Sequence, residues 1–355
     1  MSAWPLLALI GVFVGAGVMV WIAGIKLSDT TDVLATRLGL GEALGGLILL
    51  AVATNLPEIA ITASAALAHQ IDIAVGNILG GIAIQTVVLA VLDACTDQDD
   101  PPLTYQAASL LLVLEGAFVI AVLVLVVMGT QLPKSAVAAR LAPAAVAIAV
   151  TWLASLWLLD RAQKGLPWHA DGEAPDGQEE PRGHSAKKHE AAASEKGLST
   201  GRAALLFGVA AVATLIGGVL LERSGEGIAG HIHMTGVIFG ATVLAAATSL
   251  PELSTGLTSV RMGDYKLAVS DIFGGNAFLP VLFLLAVLLS GQAVLPGAHD
   301  TDIYLTGLGT LLTAVYMWGL ITRPRRRVLR MGPDSLTVVA LYTLGLIGLA
   351  VVAAK

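Results

Sequence analysis

Ala53-Thr54-Asn55-Leu56-Pro57-Glu58 lies inside one long apolar run, and Ala247-Thr248-Ser249-Leu250-Pro251-Glu252 lies inside another, 194 positions later. Each copy places a helix-breaking proline and an acid where a membrane helix tolerates neither. A carboxylate near the bilayer centre costs roughly 2.5–3.5 kcal/mol on insertion scales. Its recurrence at equivalent places argues for a site.

The chain around these copies is 56% hydrophobic and 13% charged, with mean hydropathy +0.81. Soluble domains carry about 25% charged residues, and apolar stretches of the roughly 20 residues a membrane helix needs recur along almost the whole sequence. The pattern is that of an all-α polytopic membrane protein. Hydropathy places ten spans near 4–26, 41–69, 71–94, 104–129, 134–159, 201–222, 234–261, 265–290, 302–321 and 335–354. Gly, Pro and polar residues interrupt spans two, three, seven and eight, which are expected to be broken helices. The N-terminal run from Trp4 is read as a retained span, not a removed signal.

The polar stretch 161–200 mixes Gly, Pro, Glu, Lys and His without hydrophobic periodicity. It is expected to be a cytoplasmic flexible linker between two halves, 1–160 and 201–355. With the N-terminus outside, 16 of the 20 basic residues fall in cytoplasmic segments, leaving Lys134, Arg140, Arg223 and Lys355 outside. That asymmetry predicts both termini outside and the linker inside. The acidic loop 97–100, His231 and His233 are read as solvated, Cys95 as a packing residue, and Arg323-Pro324-Arg325-Arg326-Arg327 as a topology anchor.

The 194-residue shift carries Gly24 onto Gly218, Gly46 onto Gly240, Thr54 onto Thr248, Pro57 onto Pro251, Glu58 onto Glu252, and Gly80-Gly81 onto Gly274-Gly275. Five spans per repeat is an odd number, so the second copy enters the membrane from the opposite side. The expected architecture is two inverted five-helix repeats, an arrangement typical of secondary transporters, with both acids brought to one midplane.

Pro57 has no N–H, so the carbonyl of Ala53 loses its helical partner and the helix opens near Thr54–Leu56. Pro57 then suits the start of a second half-helix, and Glu58 in its first turn is favoured by the helix dipole. Carboxylate, hydroxyl and freed carbonyls are hard oxygen ligands, and the second copy supplies the same set. Two such half-sites suit a six-to-eight-coordinate calcium ion, and equally several sodium ions. Two close acids also repel, which makes a proton a competitor. Asn77 and Asp271, each 19 residues after its glutamate, are further site or gating candidates. Glu115 is a deep acid without a repeat counterpart, read as either a proton-handling group or a bundle contact.

These residues resemble the signature of the sodium/calcium exchanger family, the calcium:cation antiporter superfamily, of prokaryotic type. Its repeats centre on a G-T-S-x-P-E sequence, here 53–58 and 247–252, followed by G-N-x-x-G-S-N, here 76–82 and 270–276. The resemblance implies that Glu58 and Glu252 are the central calcium ligands. It implies ligating roles for Thr54, Thr248, Asn55 and Ser249, and for the carbonyls of Ala51 and Ala245. It further implies exchange of calcium for sodium or protons by alternating access, with spans one and six sliding across a fixed core. The family places Asn or Asp 27 residues after each glutamate, where this chain holds Gln85 and Leu279. The serine of the second segment is Gly81 and Gly275, and its following Asn survives only as Asn276. Gln85 and Asn276 complete the candidate set.

The expected function is a calcium-exporting antiporter. The alternatives are a sodium/proton or other cation exchanger on the same fold, and, less favoured, a passive channel. No catalytic residue, enzymatic activity, cofactor or nucleic-acid partner is expected; the partners are the lipid bilayer and inorganic cations. A monomer is compatible with the sequence, and the expected location is a prokaryotic cytoplasmic membrane.

Overall fold

A computed structural model describes residues 4–37, 52–137, 140–163 and 199–355. Among them the chain is helical, with an isolated bridge between Val328 and Met331 in place of any sheet. Among the described residues eight helices are long and apolar enough to cross a membrane, or nine if one bent pair counts as a single span. The expected linker falls largely outside the described residues, as does the first half of span two with Gly46 and Ala51.

Helix α1 is Leu6–Arg37, and α2, Leu56–Leu67, is the described half of span two. Helix α3 is Ile71–Ala94, α4 is the short Leu103–Ala107, α5 is Leu110–Thr130 and α6 is Pro143–Gln163. In the second half α7 is Thr200–His231, and α8, Gly236–Thr248, is followed after a 41° bend by α9, Leu250–Arg261. Then come α10, Tyr265–Phe278, α11, Leu282–Ser290, α12, Asp300–Thr322, and α13, Pro333–Ala353.

Several span limits move. Helices α1 and α7 hold 32 residues each and overrun their expected ends at 26 and 222. At 1.5 Å per residue each reaches about 48 Å, more than the roughly 30 Å hydrocarbon layer. The polar run at the end of α7 does not stop the helix, because Glu222, Ser224 and Gly225 are buried against protein. Span four starts at Leu110, where Ser109 caps the helix by accepting from Leu111 N at 3.2 Å. Span five starts at Pro143, a residue suited to a first helical position, instead of at 134.

Span three is the main correction. It was expected to be broken, yet α3 is continuous over 24 residues. It contains no proline, so every internal N–H is available, and each glycine costs only about 1 kcal/mol relative to alanine. Its glycines serve packing instead. A Cβ on Gly76 would stand 2.6 Å from Val237 O, one on Gly80 would strike the Ala241 backbone, and one on Gly240 would stand 2.8 Å from Ile73 O. Small residues thus bring the backbones of α3 and α8 together. Span eight does break, at Pro280, where a 3₁₀ turn Leu279–Val281 separates α10 from α11. The glycine pair 274–275 lies within continuous helix.

Other expectations also change. His231, exposed as expected, ends α7 as part of the helix and shares a 2.8 Å ring Nδ1–Gly227 O contact. Cys95 is exposed and does not pack. The arginine segment docks onto the loop before α4. Arg327 donates to the Thr96 hydroxyl and to Pro101 O, and Arg325 stands 5.5 Å over the Tyr105 ring. Buried Asp93 fastens both loops, accepting from Leu103 N at 2.8 Å and Gly332 N at 2.7 Å.

Two crossings position the site. On α1, a Cβ at Gly24 would stand 2.6 Å from Pro251 Cβ; on α7, one at Gly218 would stand 2.8 Å from Pro57 O and from Ala60 Cβ. Each long helix therefore lies against the proline of the other repeat's broken helix, and the two contacts map onto each other under the 194-residue shift.

Candidate cation site

The two proline breaks share a backbone geometry. Asn55 has φ −89° and ψ 14°, Ser249 φ −81° and ψ 1°, both in the sparsely populated bridge region. After each, a new helix begins with its proline in the first turn: Ile59 N donates to Asn55 O at 3.0 Å and Leu253 N to Ser249 O at 3.0 Å. Ahead of the second break lies a π-helical turn, Gly240–Leu244, a rare form enriched at functional sites.

Glu58 and Glu252 each sit in the first turn of the new half-helix, fully buried. They lie within electrostatic range of each other, and Asp271 acts on Glu252 in turn. The Thr248 hydroxyl points toward Glu58, yet none of the four glutamate oxygens makes a hydrogen bond of normal geometry. Buried carboxylates without donors are costly, so this arrangement fits a cationic guest.

The remaining oxygens divide unequally. In the second repeat, Ala245 O accepts Ser249 N at 3.0 Å, Ser249 Oγ at 2.8 Å and Thr248 Oγ1 at 3.2 Å, so carbonyl and hydroxyls form one cluster. In the first, Thr54 and Asn55 are buried side by side, with Asn55 Nδ2 3.5 Å from Thr54 Oγ1. Their expected partner Ala51 lies outside the described residues.

The positions flanking the glutamates pair crosswise. A Cβ on Gly275 would lie 3.4 Å from Gln85 Oε1 and 3.5 Å from Asn55 Nδ2, whereas one on Gly81 would lie 3.3 Å from Leu279 Cδ1. Gln85 and Asn77 are fully buried, and neither side-chain amide has a hydrogen-bond partner. Asn276 is less a free ligand than expected, because its Nδ2 donates to Thr86 Oγ1 at 3.1 Å; only its Oδ1 is unpartnered. Asp271 accepts from Thr255 Oγ1 at 2.8 Å, and the same hydroxyl reaches Glu252 O at 3.0 Å.

Thr255, Thr86 and Ser270 escaped the sequence reading, since a single hydroxyl in a helix carries no pattern. Glu115 now has a partner, accepting from Ser270 Oγ at 2.5 Å next to Asp271. Among the described residues no cluster of three His, Cys, Asp or Glu side chains forms a metal cage. The oxygens gathered here are two acids plus hydroxyls, amides and carbonyls, a donor set for a transported hard cation.

The model of the sodium/calcium exchanger protein family matches residues 8–159 and 202–351. The chain belongs to that family. Among relatives, inner membrane protein YrbG of Escherichia coli (strain K12) is 27% identical over 91% of this chain and 92% of its own length. The putative antiporter CaxA of Alkalimonas amylolytica is 26% identical over 92% and 94%. Of solved structures, the sodium-calcium exchanger NCX_Mj superposes with TM-score 0.59 at 15% identity, covering 97% of this chain and 99% of that one. The H+/Ca2+ exchanger CAX gives TM-score 0.64 at 11% identity over 96% and 82%. Both likenesses are of fold. As an exchanger-family protein with this many apolar helices, the chain is an integral multi-pass membrane protein.

Proposed function

We propose that this exchanger-family protein is a secondary-active antiporter that exports calcium in exchange for sodium or protons by alternating access, and that it is a transporter without enzymatic activity. The observation that carries the reading is the pair Glu58 and Glu252: buried, mutually close, without a hydrogen bond of normal geometry to any carboxylate oxygen, and set at equivalent breaks of two repeats. The full architecture is ten spans in two inverted five-helix repeats, a reading supported by the crosswise Gly24–Pro251 and Gly218–Pro57 contacts. Both termini face outward and 161–200 faces the cytoplasm, by the placement of Lys and Arg. The name of the YrbG relative supports an inner-membrane location.

In this reading Glu58 and Glu252 neutralise the divalent cation. Thr54, Thr248, Asn55 and Ser249, with the carbonyls of Ala51 and Ala245, complete its shell. Asn77, Gln85, Asp271 and Asn276 line the approach. An empty site leaves two uncompensated acids in low dielectric, so the protein crosses between access states only when calcium or counter-ions occupy it. Helices α1 and α7 slide over Pro251 and Pro57, where Gly24 and Gly218 present no side chain to obstruct them.

A second reading, sodium/proton or other cation exchange on the same fold, is favoured by Leu279. It sets a methyl group against Gly81, at the position where the exchanger signature carries Asn or Asp. Proteoliposomes with separately imposed sodium and pH gradients decide between them. Calcium uptake driven by one of these gradients is expected; calcium flux that follows only its own gradient would refute exchange.

A further inference from the structure

Glu222 is a buried acid that the proposed cycle does not use. It lies on α7 in a predominantly apolar span, with no exposed surface. Its Oε2 accepts from Ser64 Oγ at 2.8 Å and stands 3.3 Å from Arg223 Nε, while Oε1 is buried without a partner. Ser64 belongs to α2, six residues beyond Glu58, about 9 Å along the same half-helix. One turn before Glu222, Gly218 abuts Pro57 O. The helix that carries a candidate ligand and the long helix that crosses it thus meet at a smooth glycine contact, followed at once by a charged bond.

We propose that Glu222 is a positioning residue of the exchange cycle: through Ser64 it latches α7 to the half-helix bearing Glu58 and favours one access state over the other. This rests on the alternating-access reading above. The charged groups around it are few. On α7 they are Arg223 and Glu226, the latter bonded to Gln70 beside α3; on α2 the facing group is Ser64. The contacts of α7 with α1 at this level are apolar, Gly217 on Val20 and Gly227 on Leu9.

The latch is one-sided. Under the 194-residue shift Glu222 corresponds to Ser28 and Ser64 to Thr258. Position 28 carries no carboxylate, and the Thr258 hydroxyl bonds within its own helix, to Ser254 O at 2.9 Å. Two equal crossings would weight inward and outward access alike, whereas the carboxylate–hydroxyl bond of Glu222 and Ser64, which the equivalent residue pair Ser28 and Thr258 has no carboxylate to form, must be broken for α7 to move and so weights one state.

The test compares calcium KM at the two membrane faces, in right-side-out and everted vesicles, for wild type, Ser64→Ala, Glu222→Gln and the double variant. The ratio of the two KM values follows the ratio of the access states. Losing a hydrogen bond to a charged group is expected to change that ratio by roughly 10-fold in Ser64→Ala. Glu222→Gln, whose amide oxygen still accepts from Ser64, shifts it less, and the double variant shifts it no further than Ser64→Ala. A lesion of packing alone scales both KM values together. An unchanged ratio in Ser64→Ala, or additive shifts in the double variant, would overturn the latch. Absence of gradient-driven exchange in the wild type would instead overturn the antiporter reading itself. If Glu222→Gln fails to accumulate, the Ser64→Ala ratio, which removes one hydroxyl, decides alone.

Discussion

The half-site around Glu58 and the half-site around Glu252 share a backbone and differ in chemistry. Both break at a residue near φ −85°, restart at a proline, and bury an acid in the first turn beneath a glycine of a crossing helix. The flanks then diverge. The first half sets Asn55 and Gln85 around Gly275; the second sets Leu279 against Gly81 and adds Asp271, held by Thr255. The repeat therefore preserves what shapes the helix, because a proline break and a glycine crossing have few substitutes. In the proposed site the oxygen groups can differ between the halves, since a cation requires only a sufficient number of oxygens in its shell.

The most severe way to challenge this equivalence is to neutralise each acid. Glu58→Gln and Glu252→Gln are each expected to lower calcium flux by about 100-fold or more in proteoliposomes, as loss of one carboxylate from a buried carboxylate–cation contact does. One variant retaining a tenth of wild-type flux would mean that the halves are unequal partners. The crossings come next. Gly24→Leu and Gly218→Leu drive side chains into Pro251 and Pro57, and each should cost about 1–3 kcal/mol in stability, read as a lowered thermal midpoint in detergent. Similar losses would support equivalent crossings.

The flanks should respond more gently. Leu279→Gln gives the second half the amide of the first and is expected to change calcium KM by about 3–10-fold, the scale of one hydrogen-bonding ligand. The smallest effect expected is that of Asp271→Asn, which keeps an acceptor for Thr255 and removes one charge near Glu252. Calcium KM should rise about 2–3-fold with kcat little changed, as for a partly solvated charge. A larger loss of kcat would place Asp271 among the direct ligands.

Much of this was legible from residue order alone. The paired Pro-Glu breaks at Pro57 and Pro251 are local events, set by a missing N–H and a ring clash, and the helices break where those residues stand. Glycine is more ambiguous. Gly76 and Gly80 read as interruptions of span three, whereas in the structure they receive α8 without disturbing α3, because a missing side chain weakens a helix only slightly and a close neighbour offsets that. Span ends misled for a related reason. Glu222 and Ser224 look like the edge of an apolar run, and they continue the helix because protein, not lipid, covers them.

What the sequence determined by itself was the class of the protein, the 194-residue sequence repeat, the two Pro-Glu breaks and the acids in them. These depend on composition, periodicity and covalent geometry, all carried by neighbours in the chain. Only the tertiary structure decided which groups meet: Gln85 with Gly275, Leu279 with Gly81, Ser270 with Glu115, and Ser64 with Glu222. Those contacts join residues up to 198 positions apart. They arise from helices packing at close range, where a single hydroxyl or methyl group leaves no periodic trace in the chain.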